Sequence, residues 1–235
     1  MNSFIKPILL IAILCGSTLS TLSYSQSDDP RQVVQKTTEQ VLTIINNTKN
    51  HSVEDSKHFN AEVLAVMDKV IDFDDFARSV MGTYASGQRY KALTSEAEKA
   101  AYRERIQRFS LTFKQGLVDT YATSLLNFNG EKIETLPLQK GVDLSSGSAT
   151  VMQTIYSRSG KPYVVQYSMH RNREGEWKLK NLIIEGVNLG LTYRSQFAES
   201  ANKYHGDLDK VISTWNVEPA IDAAKSNMPK KEVKK

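Results

Sequence analysis

A chain of 235 residues, 40% hydrophobic and 24% charged, can bury a substantial core, which excludes the disordered and collagen-like classes. The formal charge of +4 sits at the two ends: setting aside Lys6 and the C-terminal "KSNMPKKEVKK" leaves 24 basic and 25 acidic residues between 26 and 224. So neutral a body carries no nucleic-acid stripe, and no nucleic-acid partner is expected.

Residues 1–25 read as a cleaved secretory signal peptide. A weakly cationic start is followed by "PILLIAILCGSTLSTL", too short an apolar run for the roughly 20 residues of a membrane span, and then by Ser23 and Ser25 before a cut near Gln26. Cys15 is the single cysteine, and Leu14 before it is too bulky for lipoprotein processing. The mature chain is therefore expected to hold no disulfide.

From Asp29, Val33, Val34, Val41, Leu42 and Ile45 recur near helical spacing, and "FNAEVLAVMDKVI" predicts a second helix. "DFDDFARSVMG" predicts a third, capped by Asp72 and stopped by Gly82. Thr94 and Ser95 then open the longest periodic segment, in which Ile106, Phe109, Phe113, Leu117, Tyr121, Leu125 and Phe128 form one apolar face. After Asn129-Gly130 the period changes to that of strands. "EKIETLPLQ", "SATVMQTIYS", "KPYVVQYSMHR" and "EWKLKNLIIEG" predict a four-stranded antiparallel meander, with Tyr163, Val165, Tyr167 and Met169 on its covered face. Gly186 ends the last strand, Asn188 caps a helix buried through Leu189, Tyr193, Phe197, Ala201 and Tyr204, and "HGDLDKVISTW" adds a short final helix. The expectation is one α+β domain over 26–220, followed by a lysine-rich tail, 221–235, that is solvated and disordered or touches anionic lipid or an acidic partner.

The motifs of nucleotide binding, serine hydrolysis, metalloproteolysis and thiol redox chemistry are missing from the sequence, and no cofactor or metal is expected. His51, His58, His170 and His205 are scattered, and "DFDDF" reads as a helix cap in place of a calcium loop. The stripe from 106 to 128 reads as core, or as one wall of an apolar cavity facing the sheet.

"IDFDDFARSVMG", "FKQGLVDTYATSLLNFNG" and "GKPYVVQYSMHRNREGEWKLKNLIIEGVNLGLTYRSQF" resemble the MlaC, or toluene-tolerance Ttg2D, family of periplasmic phospholipid-binding proteins. The most specific run is Trp177, Asn181, Glu185, Gly186 and Val187 leading to Tyr193, Arg194 and Phe197. Two departures stand out: Asn188 replaces the usual serine, and "GTYASGQRYKALTSEA" is longer and lacks a tryptophan. The resemblance implies an NTF2-like α+β fold enclosing the acyl chains of a glycerophospholipid. It implies a periplasmic shuttle between an outer-membrane lipoprotein complex of MlaA type and an inner-membrane ABC transporter with its MlaD-type subunit, and no catalysis.

On that reading the candidate lipid-lining residues are Phe76, Ile106, Phe109, Phe113, Leu117 and Tyr121 from helices, Val151, Ile155, Val165 and Tyr167 from strands, and Tyr193 and Phe197 from the closing helix. Arg89, Lys91 and Arg103 are candidates for the cavity mouth or a partner surface, with solvated charge as their ordinary role. Two rival classes stay open. One is an isomerase or dehydratase in an NTF2-like cavity, drawing on Asp143, Glu185, Tyr167 and Tyr193; the other is a periplasmic chaperone or adaptor for protein segments.

Overall fold

Helix boundaries fall where side chains take over the unpaired backbone groups of a helix end. In the computed structural model, which describes residues 29–48, 55–126, 128, 132–156 and 162–220, the first two helices are α1 (Pro30–Thr48) and α2 (Asp55–Val70). The Asp72 carboxylate accepts the Asp75 amide at 2.9 Å and starts α3 (Phe73–Met81), which stops at Gly82 with φ of +57°. Ser95 and Glu98 then cap each other reciprocally: the Ser95 hydroxyl accepts the Glu98 amide at 3.1 Å while the Glu98 carboxylate accepts the Ser95 amide at 2.9 Å. They open α5 (Glu96–Leu126), 31 residues that rise about 45 Å. The unusual segment between α3 and α5 folds as a 3-10 turn and a short helix, α4 (Gly87–Lys91), tied down by the Tyr102 hydroxyl donating to the Ser86 carbonyl at 2.9 Å. The signal peptide with Cys15, the lysine tail, His51 and the Asn129-Gly130 turn lie outside the described residues.

The strands are β1 (Lys132–Thr135), β2 (Ser148–Tyr156), β3 (Pro162–Arg171), β4 (Trp177–Ile184) and β5 (Val187–Asn188), antiparallel and in sequential order. Among the described residues the sheet thus has five strands, one more than the four expected. The fifth arises because Glu185 (φ 50°) and Gly186 (φ 80°) both take left-handed backbone, the geometry of a two-residue hairpin, and fold Val187 back onto Ile184. A left-handed glutamate is costly, and its bonds offset the cost: its carboxylate accepts the Val164 amide at 2.7 Å and its own amide donates to the Val164 carbonyl at 3.1 Å. Asn188 closes the strand and still caps α6 (Leu189–Lys203), accepting the Leu191 amide at 3.0 Å. The chain ends its described course in α7 (Leu208–Ser213) and a segment to Ala220.

Register fixes which side chains face inward. Val151 lies opposite Tyr167, Gln153 opposite Val165 and Ile155 opposite Tyr163, with a bulge at Ser168/Met169 against β4. Helices form two groups around this sheet. An aromatic core joins α3, α5, α6 and α7, whereas α1 and α2 pair with each other over the inner face of the strands.

Candidate functional site

Between the α1–α2 hairpin and the sheet lies a cavity of about 300 Å³. Helix α1 contributes Val34, Thr37, Thr38, Val41, Leu42 and Ile45; α2 and the residue after it contribute Val63, Met67, Val70 and Ile71. The strands supply Ile133, Gln153, Ile155, Tyr163, Tyr167, Met169, Leu179 and Leu182, and Leu125 and Phe128 close the end of α5. The two threonines are less polar than their names suggest. Thr37 and Thr38 return their hydroxyl protons to the Val33 and Val34 carbonyls at 2.7 and 2.9 Å, a bond that satisfies the hydroxyl within the helix itself.

Gln153 is the one strongly polar side chain of this wall, and it is 1% exposed. Both N–H groups and the carbonyl oxygen of its amide are bonded. The Tyr167 hydroxyl donates to its Oε1 at 2.6 Å, and its Nε2 donates to the Thr38 and Thr135 hydroxyls at 3.0 Å each. A buried amide so satisfied costs little and presents no unpaired group to an apolar ligand. Burial pushes the Tyr167 phenol well above its ordinary range, so at neutral pH it stays a hydrogen-bond donor.

Of the residues named from sequence, Ile155 and Tyr167 line this cavity. Val151 and Val165 share the inner face but are covered: Val151 packs under Val34 with Met169 and Trp177, and Val165 is 3% exposed opposite Gln153 and Ile184. Phe76, Ile106, Phe109, Phe113, Leu117, Tyr121, Tyr193 and Phe197 belong to the helical core instead. There Phe109 meets Phe197 at 4.8 Å and Phe113 meets Tyr193 at 5.2 Å between ring centroids, both edge to face, and the Tyr121 and Tyr193 hydroxyls are 2.8 Å apart. The α5 stripe is thus filled by α6, and only the last turn of α5 reaches the cavity. Sequence reasoning missed the α1 and α2 residues as a wall. Gln153 carried a signal of its own, being the polar residue that alternation places between Val151 and Ile155 on an otherwise apolar face.

The residues of the enzymatic reading are each engaged separately. Asp143 accepts the Ser145 amide at 2.8 Å, and hydrogen bonding to Ser145 holds its carboxyl below the usual carboxylate range. Glu185 serves the sheet edge, Tyr167 serves Gln153, and burial raises the Tyr193 phenol beside Tyr121. Among these four described residues, none is paired with another as acid and base. Arg194 donates to the Ser79 carbonyl at 2.6 Å, joining α6 to α3. Arg89 lies over Tyr84 and Arg103 over Tyr90, and Arg103 is 22 residues, or about 33 Å, along α5 from Leu125 at the cavity.

An antiparallel sheet whose inner face is roofed by a helical hairpin over an apolar cavity defines an α+β cavity protein. The MlaC protein family matches residues 35–217, and the chain belongs to that family. It is 30% identical, over 226 residues and 96% of each chain, to the toluene tolerance protein ttg2D of Pseudomonas putida. Its fold is similar to that of a phospholipid-binding protein from Ralstonia solanacearum solved in complex with a phospholipid, with a TM-score of 0.61 and 19% identity over 84% of this chain and 98% of that one.

Proposed function

We propose that this protein is a periplasmic phospholipid carrier that hides acyl chains in the cavity between the α1–α2 hairpin and the sheet, in a fold of NTF2-like kind. The observation that carries the reading is the cavity itself, apolar on every side and saturated at its single amide. Membership of the MlaC family and the phospholipid held by the Ralstonia relative support the same cargo. Two sixteen-carbon chains exposed to water cost on the order of 20 kcal/mol at about 0.8 kcal/mol per methylene, so unassisted crossing is negligible and a carrier must enclose them. At about 300 Å³ the cavity stands at the small end of ligand sites, about 300 to 1,000 Å³, so its walls part as the chains enter.

In this reading residues 1–25 direct export and are removed. Among the described residues no helix is long and apolar enough to cross a membrane. Lipid passes between an outer-membrane lipoprotein complex of MlaA type and an inner-membrane ABC transporter with its MlaD-type subunit, and the ATP-driven partner supplies the energy. Native mass spectrometry of protein purified without detergent tests the proposal. Added mass matching a diacyl phospholipid, removed by organic extraction, is expected; a reproducible lipid-free mass would refute the carrier and favour the adaptor class.

A further inference from the structure

Resting on the carrier reading, we propose that Gln153 is the positioning residue that holds α1 closed over the cargo, and that its hydrogen bond to Thr38 sets the rate of lipid release. The walls of the cavity are not equally fixed. The strands are paired along their length, and α2 is pinned at its end by the Ile71 bridge to Leu179 and by Lys178 Nζ donating to the Lys69 carbonyl at 2.8 Å. Helix α1 packs through Val34 at one end and Ile45 at the other, and between these anchors it spans the cavity.

Over that span the tie to the sheet is Gln153 Nε2 to the Thr38 hydroxyl at 3.0 Å. The bond is asymmetric in what its rupture costs. When α1 lifts, Gln153 keeps Thr135 and Tyr167, and Thr38 keeps the Val34 carbonyl, so the hydrogen bonding lost is confined to the Thr38–Gln153 contact, which leaves one N–H of Gln153 without an acceptor. Parting the strands would instead break the ladder and strip Gln153 of its partners on β1 and β3. The cheapest opening is therefore along α1, and a single neutral hydrogen bond is weak enough to open on a transfer timescale.

The test compares hydroxyl deletions on the two sides of the same amide. Wild type, Thr38→Val, Thr38→Ala, Thr38→Ser and Thr135→Val are loaded with a fluorescent diacyl phosphatidylethanolamine. Its release to vesicles of phosphatidylethanolamine and phosphatidylglycerol is followed alongside hydrogen exchange of the α1 amides. Thr38→Val and Thr38→Ala should release lipid about three- to tenfold faster, the loss of one net hydrogen bond, with faster exchange in α1. Thr38→Ser restores the hydroxyl and should match wild type, and Thr135→Val, which acts inside the sheet, should leave release unchanged. Wild-type release from both Thr38 deletions, or equal acceleration by Thr135→Val, overturns the proposal. If wild type takes up no lipid, the carrier reading fails, and the α1 amides alone decide the closure: unchanged exchange in Thr38→Val refutes it.

Discussion

Removing the cargo should cost this fold much of its stability. An enclosed dry void of about 300 Å³ destabilises by about 7 kcal/mol at about 24 cal/mol per Å³, an upper figure for this half-open cavity and comparable to the roughly 5–15 kcal/mol that holds a whole domain together. Water entering through the mouth relieves part of this but finds few polar partners inside, because the Gln153 amide is bonded within the protein and most of the remaining lining is apolar. For a chain of this size 1 kcal/mol moves the melting temperature by about 2–4 °C. Protein freed of lipid by organic extraction and refolded should therefore melt at least about 10 °C below the loaded form, in scanning calorimetry with phosphorus content measured on the same samples. Adding back diacyl phospholipid should restore the loss. Leu42→Phe, which grows a ring into the space from α1, should raise the melting temperature of the emptied protein and lower its lipid content. A melting temperature that stays within about 2 °C on verified emptying would refute the reasoning, since the space would then be closed or filled without cargo.

Phe109→Ala, in the ring cluster with Phe113 and Phe197, should cost about 3–5 kcal/mol by urea denaturation while leaving lipid per folded molecule unchanged. At Gly190 an added Cβ would come within 2.7 Å of Asn181 Oδ1, which accepts the Gly190 amide at 3.0 Å; Gly190→Ala should lower the denaturation midpoint by the equivalent of about 1–3 kcal/mol. The Asp209 carboxyl lies below its usual range through its hydrogen bonds to Arg105, at 3.0 Å, and to Arg108, so its contribution to stability is present above the unfolded value near about 4 and is lost as pH falls through the folded one. Asp209→Asn should accordingly lower the melting temperature slightly near neutrality, where the carboxylate contributes, and change it little at acid pH below the folded value, so that the fall of the melting temperature below about pH 4 is flattened.

What could be read directly from the sequence is local chemistry. Asp72, Ser95 with Glu98, Asn188 and Gly82 mark helix ends because capping depends on neighbours within four residues. The inner face of β3 followed from alternation for the same reason. The partner of an apolar stripe is not local. Phe109, Phe113, Tyr193 and Phe197 look alike whether they line a ligand or pack on each other, and only the fold, by returning α6 onto α5, decides that they pack. Conversely Val34, Val41, Leu42 and Ile45 were legible as helical but not as a wall. The fifth strand escaped notice because Gly186 and Asn188 each fulfil their expected role, turn and cap, while Val187 and Asn188 also pair with Ile184 and Ile183.

The tie between Thr38 and Gln153 spans 115 positions of the chain, and this has a consequence for how the protein comes to be made. Closing so long a loop is entropically expensive and slow, so contacts of this kind form late in folding. During export and synthesis α1 and α2 are available long before β2 and β3 exist, and until then they have only each other to cover their apolar sides. The cargo site thus acquires its shape only once the sheet has been made. Until the sheet arrives, the α1–α2 surface that will later hold lipid is open to aggregation, and Thr37 and Thr38 keep it from being uniformly apolar.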